Sequence, residues 1–116
     1  MKRTLFLALW ITCLMVGMVE AANVLTWQDN SNNETAFNIE RKVEACTGTL
    51  PFTPLASVGT NTTTYIDSAV VEGASYCYRV NASNSAGASA YSNLAGRTVP
   101  FTVPTAPSTL VVVGGV

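Results

Sequence analysis

Between Val70 and Asn84 the chain passes a glycine-containing corner and then alternates polar and apolar positions without a break. Tyr76, Tyr78, Val80 and Ala82 share one parity; Cys77, Arg79, Asn81 and Ser83 share the other. A period of two sustained this long predicts a β-strand with one buried face. The aromatics then point into a core and their neighbours, Cys77 among them, point to water. Weaker alternations flank this strand. Val24 to Trp27 predicts a first strand with Leu25 and Trp27 on one face, and Trp27 reads as a core plug. Ala36 to Cys46 predicts a long second strand. Phe37, Ile39 and Val43 face inward there, while Glu40, Lys42 and Glu44 form a solvated charged row.

Turn-forming residues separate these runs. Gln28 to Thr35 is a polar loop rich in Asn, Asp and Ser, whose side chains satisfy nearby backbone groups. Phe52 to Val58 predicts a short strand that Pro54 confines to a sheet edge. Gly59 to Asn61 turns the chain into a β-prone run from Thr62 to Asp67, with Tyr65 as its core residue. Asn84 to Ser89 is a tight loop, and Ala90 to Thr98 the return strand. Turns recur every ten residues or so, about as expected for short sandwich strands, and no helical period follows residue 21, so the fold class is an all-β antiparallel sandwich.

A chain of 116 residues holds one domain of this kind. Its first 21 residues read as a secretory signal peptide: Lys2 and Arg3, an uncharged apolar run from Thr4 to Val19, then Val19-Glu20-Ala21 before the cut. That run is shorter than the roughly 20 residues that cross a bilayer. The mature chain carries no membrane anchor on this reading, and it keeps only Cys46 and Cys77. An even count in an exported chain reads as a disulfide; free thiols or a metal pair need a reducing compartment or further ligands. The expected location is therefore secreted, extracellular, periplasmic or cell-surface. Without Lys2, Arg3 and Glu20 the chain has four basic and six acidic residues, so no basic stripe supports nucleic-acid binding. It has no His, the commonest general base and metal ligand.

Leu25-x-Trp27, Phe37-x-Ile39-x-Arg41, Tyr65, and then Val70-x-x-Gly73-x-x-Tyr76-x-Tyr78-x-Val80-x-Ala82-x-Asn84-x-x-Gly87 resemble a fibronectin type III domain over Val24 to Thr98. The resemblance implies an immunoglobulin-like sandwich with Trp27 on strand B and the alternating aromatics on strand F. It makes Tyr76 the tyrosine corner, its hydroxyl tying down the turn before strand F. The core is then Trp27, Phe37, Ile39, Tyr65, Tyr76, Tyr78 and Val80. In an immunoglobulin domain the second Cys lies two residues after the corner Tyr and faces inward; here Cys77 follows Tyr76 directly. Strands C and F are neighbours in this sandwich, so Cys46 and Cys77 meet as a cross-strand pair on the outer face.

The resemblance is incomplete at its start, where strand A is missing before Val24. The domain expected is 22–99, followed by a Pro-rich linker and strand A-like tail over 100–116, with Pro104, Pro107 and Leu110-Val111-Val112-Val113. Three explanations stand side by side: a second domain cut short, a tail that fills its own empty slot, or a tail donated to the next molecule. An exposed Leu-Val-Val-Val strand left unpaired is an aggregation hazard.

Candidate chemistry is sparse. Asp29 and Glu34 share a loop without calcium-site spacing and read as a solvated turn. Ser and Thr have no His partner, and no Gly-x-Ser-x-Gly elbow occurs. Asn33, Asn61 and Asn81 head N-glycan acceptor triplets. The loop Ser85 to Ser89 lacks a large anchor residue. No catalytic, cofactor or metal site is expected. The function expected is a secreted non-enzymatic module, serving as spacer or as interaction domain for a protein or glycan ligand. The alternative is a structural subunit joined head to tail, with self-association through residues 108–113.

Overall fold

A computed structural model describes residues 21–116. The signal-peptide reading therefore lies outside the described residues, apart from Ala21, which packs against the core. Seven strands follow: β1 (Asn23–Thr26), β2 (Ala36–Lys42), β3 (Thr53–Gly59), β4 (Thr64–Asp67), β5 (Ser75–Asn84), β6 (Gly87–Ala88) and β7 (Ala95–Thr98). Every pairing is antiparallel. β1 and β4 form one sheet; β3, β2 and β5 run side by side in the other, with β6 and β7 both on the far side of β5. The molecule is an all-β, immunoglobulin-like sandwich.

The parity of β5 sets the core. Ile39 lies opposite Val80 and Phe37 opposite Ala82, so the inward rows of β2 and β5 make one apolar surface. Phe37, Ile39, Tyr76, Tyr78, Val80 and Val99 are its buried members. Each large side chain so buried contributes about 1.5–3 kcal/mol. Trp27 packs on Phe37 with ring centres 5.6 Å apart. Trp27 and Tyr65 are only partly buried, at the rim of this cluster. Their position has a simple cause: no strand among the described residues covers the outer edge of β1.

Three expectations are corrected. Val43 is exposed rather than inward, because β2 ends at Lys42. The ladder pairs Lys42 with Cys77. A straight strand would carry Cys46 four positions further, about 13 Å past its partner. The chain instead leaves the sheet and turns back, with Gly48 N–H donating to Ala45 O at 2.9 Å. Cys46 and Cys77 are joined, their Cα atoms 5.1 Å apart. Second, Cys77 has outward parity but does not meet water: it is fully buried. Cys46 covers it, and Gly96 on β7 leaves room for the bridge, since a Cβ there would stand 2.9 Å from Cys46 Sγ. Third, Lys42 is buried rather than part of a solvated row. Its ammonium donates to Gly48 O at 2.7 Å and Cys46 O at 3.4 Å and pairs with Glu44 at 3.2 Å, which pins the loop that carries Cys46.

The return strand expected from Ala90 is also shorter, and serines explain how the edge of β5 stays satisfied. Where the ladder is interrupted, Ser89 Oγ accepts from Ala82 N–H at 2.9 Å and Ser92 Oγ from Val80 N–H at 3.0 Å. The Ser89 and Ser92 amides donate back to Ala82 O and Val80 O, each at 2.7 Å. Buried backbone groups need such partners.

At the corner before β5, Tyr76 Oη accepts from Val71 N–H at 2.9 Å. Gly73 turns there at φ +84°, and the Phe101 ring fills the space a Cβ would take. The segment after β7 closes over this corner. Val99 is buried and exchanges hydrogen bonds with residues 73 and 74, and Glu72 accepts from Thr102 N–H at 2.7 Å. From Val103 onward the chain is exposed.

Tyr76→Phe removes the acceptor at the corner, and we expect a loss of about 1–2 kcal/mol in denaturant-measured stability with the fold retained. The bridge closes a separation of 31 residues, so its reduction should lower stability by about 3–4 kcal/mol in the same assay.

Candidate interaction surfaces

One pole of the sandwich is held by a polar junction. Asp67, at the end of β4, is 1 % exposed. Its Oδ2 accepts from Tyr78 Oη on β5 at 2.7 Å and from Arg41 Nη1 on β2 at 2.9 Å, while Oδ1 accepts from Ala69 N–H at 3.1 Å. Tyr78 Oη accepts in turn from Asn23 Nδ2 on β1 at 2.8 Å, and Asn23 Oδ1 accepts from Arg97 on β7 at 2.7 Å. Five strands thus meet through one carboxylate and its neighbours. Arg41 has the inward parity of Phe37 and Ile39, and only a carboxylate from the facing sheet makes its burial tolerable. Burial pushes the Asp67 carboxyl up, but the bonds from Tyr78, Arg41 and the Ala69 amide outweigh it and hold the group below the ordinary range. Burial, and then the bond to Asp67, push the Tyr78 phenol from 10.0 up to about 12.

The outer face of the larger sheet carries a second feature. Arg79 on β5 lies opposite Glu40 on β2. Its guanidinium donates to Glu40 Oε1 at 2.7 Å and stacks between two rings, 4.3 Å from the Phe52 centroid and 3.7 Å from that of Tyr91. Tyr91 Oη donates to Glu40 Oε2 at 3.2 Å. The sequence offered no aromatic or Arg anchor in the loop after β5; the fold builds one from residues 40, 52, 79 and 91. Parity put Glu40 and Arg79 on the same outer face, but their opposition is set by the register, which pairs Lys42 rather than Cys46 with Cys77. Beside the stack, Asn38 donates to Asn81 Oδ1 and Ser83 Oγ, both at 3.0 Å. Asn81 is buried by this pairing, whereas Asn33 and Asn61 are exposed.

The third feature is a groove of about 660 Å³ between β1 and β7, lined by Leu25, Trp27, Tyr78, Val80, Gly96 and Arg97 among others. Trp27 N–H donates to Thr63 O at 3.0 Å. Antiparallel alternation then turns the amides and carbonyls of Val24 and Thr26 away from β4 and toward this groove. Trp27 Nε1 is buried and meets no acceptor among the described residues.

Glu34 does not stand in a solvated turn. It is buried, accepts from Ser31 Oγ at 2.7 Å and from Asn61 N–H at 3.1 Å, and so clamps the loop before β2 to the turn before β4. The Ser31 bond first, then the Asn61 amide, lower its carboxyl. Asp29 accepts from Ser31 N–H at 3.1 Å in the same loop. Among the described residues no three His, Cys, Asp or Glu side chains gather as metal ligands.

The junction has a pH signature. The folded-state pKa of Asp67 is depressed, so its stabilisation is present above the unfolded value of 3.8 and fades as pH falls through the lower folded value. The folded-state pKa of Tyr78 is raised, so its share is intact below 10.0 and fades as pH rises toward about 12. We expect Asp67→Asn to cost about 2–3 kcal/mol at neutral pH and to flatten the acid limb of a Tm-versus-pH curve.

No protein-family model and no curated protein sequence matches the chain. Two solved structures share its architecture. The fibronectin type III domain of human fibronectin type III domain containing protein 3 superposes with a TM-score of 0.56 at 21% identity, over 74% of this chain and 80% of that one. The twitchin kinase region from C. elegans (Fn31-NL-kin-CRD-Ig26) superposes with a TM-score of 0.57 at 25% identity, over 72% of this chain. The chain spans only 15% of that larger region. With the corner at Tyr76, the strand order about β5 and these superpositions together, the fold of this protein is that of a fibronectin type III domain.

Proposed function

We propose that the chain is a non-catalytic module of a secreted or surface-exposed protein, acting as a spacer or as a contact domain for a protein or glycan ligand. What carries this reading is how its charges are used. Each Asp, Glu, Lys and Arg among the described residues has a structural partner. Arg41 and Asp67 join the sheets, Lys42 and Glu44 hold the Cys46 loop, and Arg79 is paired with Glu40. Glu34 clamps two loops, Glu72 fastens Thr102, Arg97 holds the start of β1, and Asp29 caps its own turn. Groups so engaged serve rigidity rather than proton transfer. The disulfide fits an oxidising compartment, and so does the leader-like start of the sequence. For contact we favour the outer face around Phe52, Arg79 and Tyr91, since Arg and aromatic side chains dominate binding energetics at interfaces.

The test is export. Chain recovered from a secreting host should begin at Ala22, resist thiol labelling when native, and weigh about 2 Da less than its reduced form. Full labelling of the native exported chain, or retention of residues 1–21, would count against the reading. For the contact face, Tyr91→Ala should abolish capture of whichever immobilised protein or glycan the parent chain retains, while leaving its Tm within a few degrees; unchanged capture rules this face out.

A further inference from the structure

The groove beside β1 and the apolar segment at residues 110–113 are complementary in every respect that strand pairing requires. On one side, Val24 and Thr26 present backbone donors and acceptors that have no partner among the described residues. Leu25, Trp27, Tyr78 and Val80 line the groove, so a strand laid into it would complete the rim of the core. On the other side, Leu110, Val111, Val112 and Val113 are 94%, 71%, 90% and 85% exposed. These are strand-forming residues, and Leu110 and Val112 share one face, Val111 and Val113 the other.

The exit of the tail decides between occupants. The chain is fastened to the corner through Thr102, beside the pole where Arg97 reaches Ala22 and Asn23. The segment therefore leaves at the Asn23 end of the groove. To pair antiparallel with β1 in its own molecule it must first travel to the Trp27 end and then return, past Pro104 and Pro107, which favour an extended path. A neighbouring molecule placed end to end meets no such demand, because its tail enters from the Trp27 end directly.

We infer that residues 108–113 of one copy pair antiparallel with β1 of the next, filling the groove between β1 and β7 and linking copies head to tail. This goes beyond the module reading by naming a second copy of the chain as a partner. The contact is heterologous, so it links copies into an open chain, or into a ring where the rotation between successive copies closes.

Two variants of the exported chain test it. Val24→Pro removes an outward-facing amide on an edge strand, where proline is tolerated; Leu110→Asp with Val112→Asp spoils the donated segment. Light scattering on a sizing column should show a concentration-dependent ladder for the parent chain and monomers for each variant. An equimolar mixture of the two variants should give a dimer and nothing larger, because only one intact tail and one intact groove remain. Amide exchange at residues 24 and 26 reads the other occupants. A monomeric parent with protected amides that the tail variant exposes means that the tail fills its own groove. Protection indifferent to the tail means another segment fills it. Either result overturns the inference, as does a monomer with unprotected amides, and none of these touches the compartment test of the module reading.

Discussion

The Asp67 carboxylate is the point on which the two sheets agree. It sits at the end of the short β4, nearly inaccessible, and accepts hydrogen bonds from β2 and β5 of the opposite sheet. An Arg at an inward position would be costly in an apolar interior. Here it is tolerable because the facing sheet supplies the opposite charge at 2.9 Å. The same carboxylate orients Tyr78 Oη, and Tyr78 fixes Asn23, so the register of β1 is tied to that of β5 through a 2.8 Å bond. The apolar core is small, and non-directional burial alone would leave the two sheets free to slide. The polar junction removes that freedom.

The disulfide works on the opposite face and by a different route. Its sulfurs are not part of the apolar core: Cys77 is buried under Cys46, against Gly96, on the outer side of the larger sheet. Lys42, tucked beneath the loop, supplies the carbonyls of residues 46 and 48 with a donor. The outer surface of β5 is thus covered twice, by the bridge near its start and by the Phe52–Arg79–Tyr91 stack further along.

The smaller sheet is the weak side. With two strands of four residues each, it leaves β1 paired on one edge and without a strand partner on the other among the described residues. Open edges invite pairing, and proteins usually blunt them with charge, proline or a covering segment. Val24 and Thr26 provide neither charge nor proline.

Much of this was legible in the sequence because side-chain parity is a local property. The inward rows of residues 37 and 39 and of residues 76, 78 and 80 follow from alternation within a few residues, and the corner at Tyr76 from the resemblance to a type III domain. The remainder depended on atoms distant in sequence. Alternation cannot say where β2 must stop, because that is set by the register that brings Lys42 beside Cys77 and forces Cys46 to double back. It cannot foresee that Lys42 and Glu34 are buried, because that depends on how the loop after β2 doubles back over Lys42 and on the turn at Asn61 that meets Glu34. Nor can it place Arg41 against Asp67 or Arg79 between two rings, since those contacts join segments that only the packed sheets bring within reach. Periodicity decided which way each side chain points; packing decided what each one meets there.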